Sequence, residues 1–250
     1  MPTTPARPRP TMSLATGAGL VGLHVSEPQG SGPWPAVVVL HDASGMTGDV
    51  VHQAQWLAGE GFLAAAPDLL RGGTITQCLR DMIRDYATWE GQVFSQIEAV
   101  RTWLAARPDW TGRVGVIGFC MGGGFALALA PGHGFAAASA NYGGLPKDAE
   151  RFFAGACPIV GSYGRRDRSL KGAAARLEEV LTAAEVVHDV KEYPEAGHGF
   201  LNDHGPGEVP FLYQALGSAV HTRYHEASAL DARRRIAAFF REHLAEESPA

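Results

Sequence analysis

The stretch Val114-Gly-Val-Ile-Gly-Phe-Cys-Met-Gly-Gly123 decides the fold. Val114 to Phe119 is a short apolar run of the kind a central strand carries when both its faces are buried. Cys120 and Met121 then stand between glycines, and Gly122 to Ala130 is small-residue helix sequence, suited to lying close against a sheet. Strand, G-x-Cys-x-G, helix is the context of a nucleophile elbow, where glycines let a sharp, strained turn pass its neighbours. A helix starting at the turn aims its partial positive charge at Cys120, favouring a thiolate and a developing oxyanion. The Met121 N–H is then an oxyanion donor. The competing reading is a tight packing turn with Cys120 as a small core residue, and the turn alone does not separate the two.

Outward from the turn, short apolar runs alternate with amphipathic stretches. Ala36–Leu40, Gly61–Pro67, Ala136–Tyr142, Pro158–Tyr163 and Val186–Tyr193 read as further strands. Val50–Gly59, Gln92–Ala106, Leu170–Ala184 and Leu230–Leu244 read as helices; in the second, Val93, Ile97, Val100 and Leu104 share one face and Arg107-Pro108 ends it. The alternation predicts an α/β domain with a mostly parallel central sheet and helices on both faces. Residues 1–15, rich in Pro, Thr and Arg, read as a flexible arm, and 16–247 as one domain. Residues 202–228 read as a loop with a short helix beside the site.

Composition narrows the function. The 250 residues carry a formal net charge of −5, which lacks the footprint of a nucleic-acid binder, and no basic run suits an anionic membrane. No long apolar segment suggests a membrane span, and the N-terminus lacks the apolar core of a secretory signal. Three widely spaced cysteines, Cys78, Cys120 and Cys157, argue against a disulfide framework or zinc site and suit a cytoplasmic chain. His221 and His225 stand four apart, but no HExxH pattern or acidic ligand accompanies them, so they read as solvent-facing helix residues and no metal or cofactor is expected.

Two loops give the elbow its partners. Tyr193-Pro-Glu-Ala-Gly-His-Gly-Phe200 sets His198 between glycines just past a strand, and Tyr163-Gly-Arg-Arg-Asp167 sets an acid just past the preceding one. The order Cys120, Asp167, His198 is the nucleophile–acid–base order of α/β-hydrolases. All three fall beyond strand C-termini, the edge where open parallel sheets bind ligands.

On these residues the chain resembles the dienelactone hydrolase family. Gly-Phe-Cys-Met-Gly-Gly is similar to its elbow, Ala-Gly-His-Gly-Phe at 196–200 to its histidine motif, and Gly-Arg-Arg-Asp at 164–167 to its acid. Leu40-His-Asp-Ala-Ser-Gly45 and Ala66-Pro-Asp-Leu69 match further landmarks. The resemblance implies a single-domain α/β-hydrolase with Cys120 as nucleophile, His198 as base and Asp167 orienting it. It implies an oxyanion hole from the Met121 and Ala43 N–H groups, and an acid, here Asp42 for the usual Glu, against the resting thiol. Namesake enzymes hold the substrate carboxylate with two arginines; here one position is Asn202, and Arg80 or Arg84 matches the other. The implied activity is hydrolysis of a small lactone or ester, by a monomer or homodimer. Alternatives are a thioesterase or general carboxylesterase on the same triad, or a non-catalytic small-molecule receptor of the same fold.

Overall fold

In the computed structural model of the chain, the described residues are 8–17, 19–70, 75–146, 148–205, 208 and 223–245, with backbone alone over 75–79. The elements run β1 (Met12–Thr16), β2 (Gly19–Ser26), β3 (Trp34–Leu40), α1 (Gly48–Gly59), β4 (Leu63–Pro67), α2 (Ile75–Thr88), α3 (Gln92–Ala105) and β5 (Trp110–Phe119). They continue with α4 (Met121–Leu129), β6 (Ala137–Asn141), α5 (Ala149–Phe152), β7 (Ile159–Gly164), α6 (Ala173–Ala183), β8 (His188–Tyr193) and α7 (Glu226–Leu244). The eight strands form one sheet in the order β1-β2-β4-β3-β5-β6-β7-β8. Strands β4, β3 and β5 through β8 are parallel, whereas β1 and β2 join antiparallel at one edge.

The pleat splits the apolar runs between two cores. In β3, Ala36, Val38 and Leu40 pack with Ile97, Val100 and Leu104 of α3, with Phe125 of α4 and with Leu177 of α6. Val37 and Val39 face the other way, onto Val50, Ala54 and Leu57 of α1 and Ile236 and Phe240 of α7. Residues alternating along a strand serve opposite faces, so a continuous β-branched run is what a doubly covered strand requires. Chain direction across the sheet reverses at β3, which sends one connection to β4 and lies beside β5. The C-terminal ends of β3 and β5 therefore flank the crevice expected at a topological switch point.

The structure corrects several expectations. Residues 12–15, placed in the arm, belong to the edge strand β1, and its alternating exposure left no apolar run to read. Gly19–Ser26 is likewise a strand. The segment around Cys78, read as a polar connection, is helix α2, which buries Met82 and packs Tyr86, one turn on, against the same core among many charged neighbours. The last helix begins at Glu226 rather than Leu230, with His225 as its N-cap accepting from the Ser228 N–H, so His225 is a cap and not a solvent-facing helix residue. His221 and most of the 202–228 segment lie outside the described residues. Among the described residues, no helix is long and apolar enough to cross a membrane.

Candidate active site

Cys120 leaves β5 at φ 54° and ψ −114°, a positive φ that non-glycine residues adopt only under constraint. The constraint is visible: the Cys120 N–H donates to the Asn141 carbonyl at 3.0 Å, and the Gly124 N–H donates to the Cys120 carbonyl at 3.1 Å. A Cβ on Gly118 would collide with the Gly122 carbonyl, and one on Gly122 would stand 2.5 Å from the Leu40 carbonyl oxygen and 2.6 Å from that of His41. The start of α4 thus rests against the end of β3. This sets Met121 near the turn that carries Ala43, and neither N–H has an acceptor among the described residues.

The acid follows β7. One Asp167 oxygen accepts from the Ser169 N–H at 2.9 Å and the Ser169 hydroxyl at 2.6 Å; the other takes His198 Nδ1 at 2.6 Å. The loops after β7 and β8 are knitted together, with the Arg165 N–H on the Tyr193 carbonyl and the Arg166 N–H on that of Ala196, both at 2.9 Å. That seam sets the spacing of Asp167 from His198. Cys120 is near enough to act on the same imidazole. Burial opposes charge on this ring, but Asp167 and Cys120 outweigh it and lift the group to about 10. Burial also opposes the Asp167 carboxylate, yet His198 and Ser169 hold it below the ordinary carboxylate range. Aspartate and histidine are therefore a hydrogen-bonded pair, with Cys120 beside the imidazole. Cys157, in contrast, sits at the foot of β7, where burial pushes its thiol up to about 12.

The residues expected around this chain fare differently. Asp42 is buried, but its carboxylate is turned to the Ser44 N–H (2.7 Å) and to His204 Nε2 (3.1 Å). These contacts replace the thiol contact that the resemblance implies. Asn202 is buried too. Its side-chain carbonyl accepts the Tyr142 hydroxyl, and its amide nitrogen donates to Asp49 at 2.5 Å. The amide read as a substrate contact is thus an internal strut. Arg80 and Arg84 lie on the exposed side of α2, and the Arg84 guanidinium is paired with Asp81 and Asp85, both at 3.0 Å.

Three residues escaped the sequence reading. Tyr142, just past β6, packs its ring on His198. Asp49, in the first turn of α1, accepts from Asn202 and from the Asp203 N–H (2.8 Å), and burial holds it above the ordinary carboxylate range despite those bonds. Tyr86 packs edge-on against Phe125 of α4 and is pushed up to about 12 by burial and the nearby Cys120. A helical period placing Met82 and Tyr86 on one face was the available signal for the last.

A doubly wound sheet with a cysteine elbow after β5, and with a bonded Asp–His pair on the loops after β7 and β8, is the architecture of an α/β-hydrolase. The chain belongs to the dienelactone hydrolase family, whose sequence profile matches residues 21–244. Among its relatives, the carboxymethylenebutenolidase of Rhodococcus opacus is 32% identical over 72% of this chain and 74% of its own. That of Pseudomonas sp. (strain P51) is 30% identical over 78% of this chain and 86% of its own. A Klebsiella pneumoniae crystal structure assigned to the dienelactone hydrolases superposes with a TM-score of 0.75 at 26% identity, covering 94% of this chain and 99% of that one. The chain is accordingly a lactone or ester hydrolase by family.

Proposed function

We propose that the protein hydrolyses a small lactone or carboxylic ester through a Cys120 thioester, with a Cys120–His198–Asp167 triad. The observation that carries this reading is His198 bonded to Asp167 and close enough to feel Cys120, which stands at positive φ at the head of α4. In the first half-reaction the Cys120 thiolate attacks the carbonyl carbon, and the Met121 and Ala43 N–H groups receive the oxyanion. The C–O bond then breaks, and the departing alkoxide takes the proton of the His198 imidazolium. In the second half-reaction neutral His198 removes a proton from water, the hydroxide adds to the thioester carbon, and the C–S bond breaks to release the acid. The regenerated thiolate again faces a protonated His198, whose charge Asp167 stabilises.

Relatives named carboxymethylenebutenolidases support a lactone as the physiological substrate class. With Asn202 engaged elsewhere and Arg84 paired, a substrate carboxylate has at most one matched arginine of the namesake pair, Arg80. This favours a neutral or weakly anionic ester over a dienelactone-type acid. The unpaired thiols of Cys120 and Cys157 suit a cytoplasmic location.

The test is turnover of a panel of lactones, aryl esters and acyl thioesters by wild type and Cys120→Ala. Lactone and aryl-ester turnover that vanishes in a folded Cys120→Ala supports the reading. Wild-type rates in that variant would remove Cys120 from the mechanism, and dominant thioester turnover would redirect the substrate class.

A further inference from the structure

Asp42 and His204 form a buried ion pair that joins two loops on opposite sides of the elbow. Asp42 follows β3, and His204 lies six residues beyond His198. Their side chains are only 5% and 16% exposed. Asp42 organises its own turn as well. Its Oδ1 accepts the Ser44 N–H at 2.7 Å, its carbonyl accepts the Gly45 N–H at 3.2 Å, and the same carbonyl meets His41 Nδ1 at 2.6 Å. His41 Nε2 in turn accepts the Leu69 N–H at 3.1 Å, which anchors the turn to the end of β4. The residue inside this turn is Ala43.

We propose that His204 is a positioning residue, which grips the Asp42 carboxylate through Nε2–H and so fixes the direction of the Ala43 N–H toward the oxyanion. The inference rests on the reading of Cys120 as the acylated nucleophile. A chain that needed Asp42 only as a turn former would be satisfied by Ser44. A second, buried and charged partner adds a restraint that the turn itself does not require. Three acids surround the ring: Asp42, Asp49 of α1, and Glu208, whose Oε2 lies 4.0 Å from Nδ1. Burial opposes the imidazolium, but these carboxylates hold it above its ordinary value. Glu208 also accepts the Gly205 N–H at 3.0 Å, and its carboxylate packs where a Cβ on Gly48 would stand. The loop beyond His198 is therefore held across the start of α1. An oxyanion donor acts only where charge develops, so a small error in its direction lowers acyl transfer without disturbing the thiol.

That difference supplies the test. Acylation of Cys120 by p-nitrophenyl acetate builds an oxyanion, whereas alkylation by iodoacetamide displaces iodide and builds none. His204→Ala is expected to lower kcat for the ester roughly tenfold to a hundredfold, with KM little changed. Its alkylation rate should stay within about twofold of wild type, since thiolate content sets that rate. Asp42→Ala should show the same split, and His204→Gln, which keeps an N–H donor, should recover most of kcat. Wild-type ester turnover in His204→Ala overturns the proposal, as does an equal fall of acylation and alkylation. Should His204→Ala unfold, the split in Asp42→Ala against recovery in His204→Gln decides the matter in the same terms. Failure of the underlying reading looks different: enzyme fully alkylated at Cys120 would still turn over ester.

Discussion

The ring of Tyr142 stands edge-on to the His198 imidazole, with centroids 5.2 Å apart and planes at 61°. Asp167 fixes one nitrogen of His198, and Tyr142 packs against the plane of its ring. Tyr142 itself is held at φ 43° just after β6, with its hydroxyl donated to Asn202 and its ring against Phe200. His198 is thus supported through a chain that ends on Asp49 in α1.

Truncating Tyr142 should separate the two parts of that support. Tyr142→Phe keeps the ring but leaves the Asn202 carbonyl without its donor, a loss of about 1–3 kcal/mol in stability. Its kcat should remain close to wild type. Tyr142→Ala removes the ring from a site only 1% exposed. It should cost about 3–5 kcal/mol and lower kcat as well, because His198 loses its neighbour. Urea denaturation and steady-state kinetics check both. Equal kcat values for the two variants would mean that the ring does not position the base.

The sequence disclosed the parts of this site that depend on one residue and its immediate neighbours. Cys120 is legible because an elbow needs small residues on both sides, and His198 and Asp167 because each follows a strand in the right order. The central strands were legible for a similar reason, since a doubly buried strand is a continuous apolar run. What stayed hidden depends on pairing across loops. Nothing adjacent to Asp42 announces His204, 162 residues away, and nothing beside Asn202 announces Asp49, 153 residues away. The edge strands β1 and β2 were hidden because one-sided burial leaves only weak alternation. Helix α2 was hidden because Arg80, Asp81, Arg84 and Asp85 interrupt its apolar residues.

Asp167→Asn should move the pH profile in a definite direction. The folded His198 pKa is raised to about 10, so its stabilising contribution is complete below the unfolded value of about 6.5 and is lost as pH rises through about 10. The Asp167 pKa is lowered, so its contribution is complete above about 3.9 and is lost as pH falls through the folded value. Acylation requires the His198 proton for the leaving group. Its rate should therefore decline on the alkaline side near pH 10 in wild type. Removing the Asp167 charge should shift that limb to lower pH and reduce kcat/KM by about 10²–10⁴. A variant whose alkaline limb stays in place would show that Asp167 does not hold the imidazolium.

The elbow glycines should be intolerant where their space is already filled by backbone. Gly118→Ala drives a methyl group into the Gly122 carbonyl, which cannot rotate away. A loss of more than about 3 kcal/mol, or failure to fold, is expected. Gly59, at the end of α1, has nothing within 4 Å of the position an added methyl group would take, and no positive φ. Gly59→Ala should be neutral or stabilise by up to about 1 kcal/mol. Thermal unfolding of the pair distinguishes backbone collision from a general preference for glycine.

Asn202→Arg tests where substrate charge is read. If position 202 faced the pocket, arginine there would add a charge-assisted contact to a substrate carboxylate, about 1.5–3 kcal/mol, or roughly ten- to a hundredfold in kcat/KM. The structure predicts another result. Asn202 is 6% exposed, and its two polar ends hold Tyr142 and Asp49. Arginine would have to displace both bonds and bury a cation beside Asp49, where one carboxylate must serve it within a packed space. The variant should lose about 3–5 kcal/mol in stability, and kcat should fall through Tyr142 and His198. The measurement compares kcat/KM for a lactone bearing a free carboxylate with that for its methyl ester. Wild type should favour the methyl ester, and any folded Asn202→Arg should keep that preference while losing rate on both substrates. A gain of tenfold or more on the carboxylate, with stability intact, would place Asn202 on the pocket wall and break the assignment of Asp49 and Tyr142 as its partners.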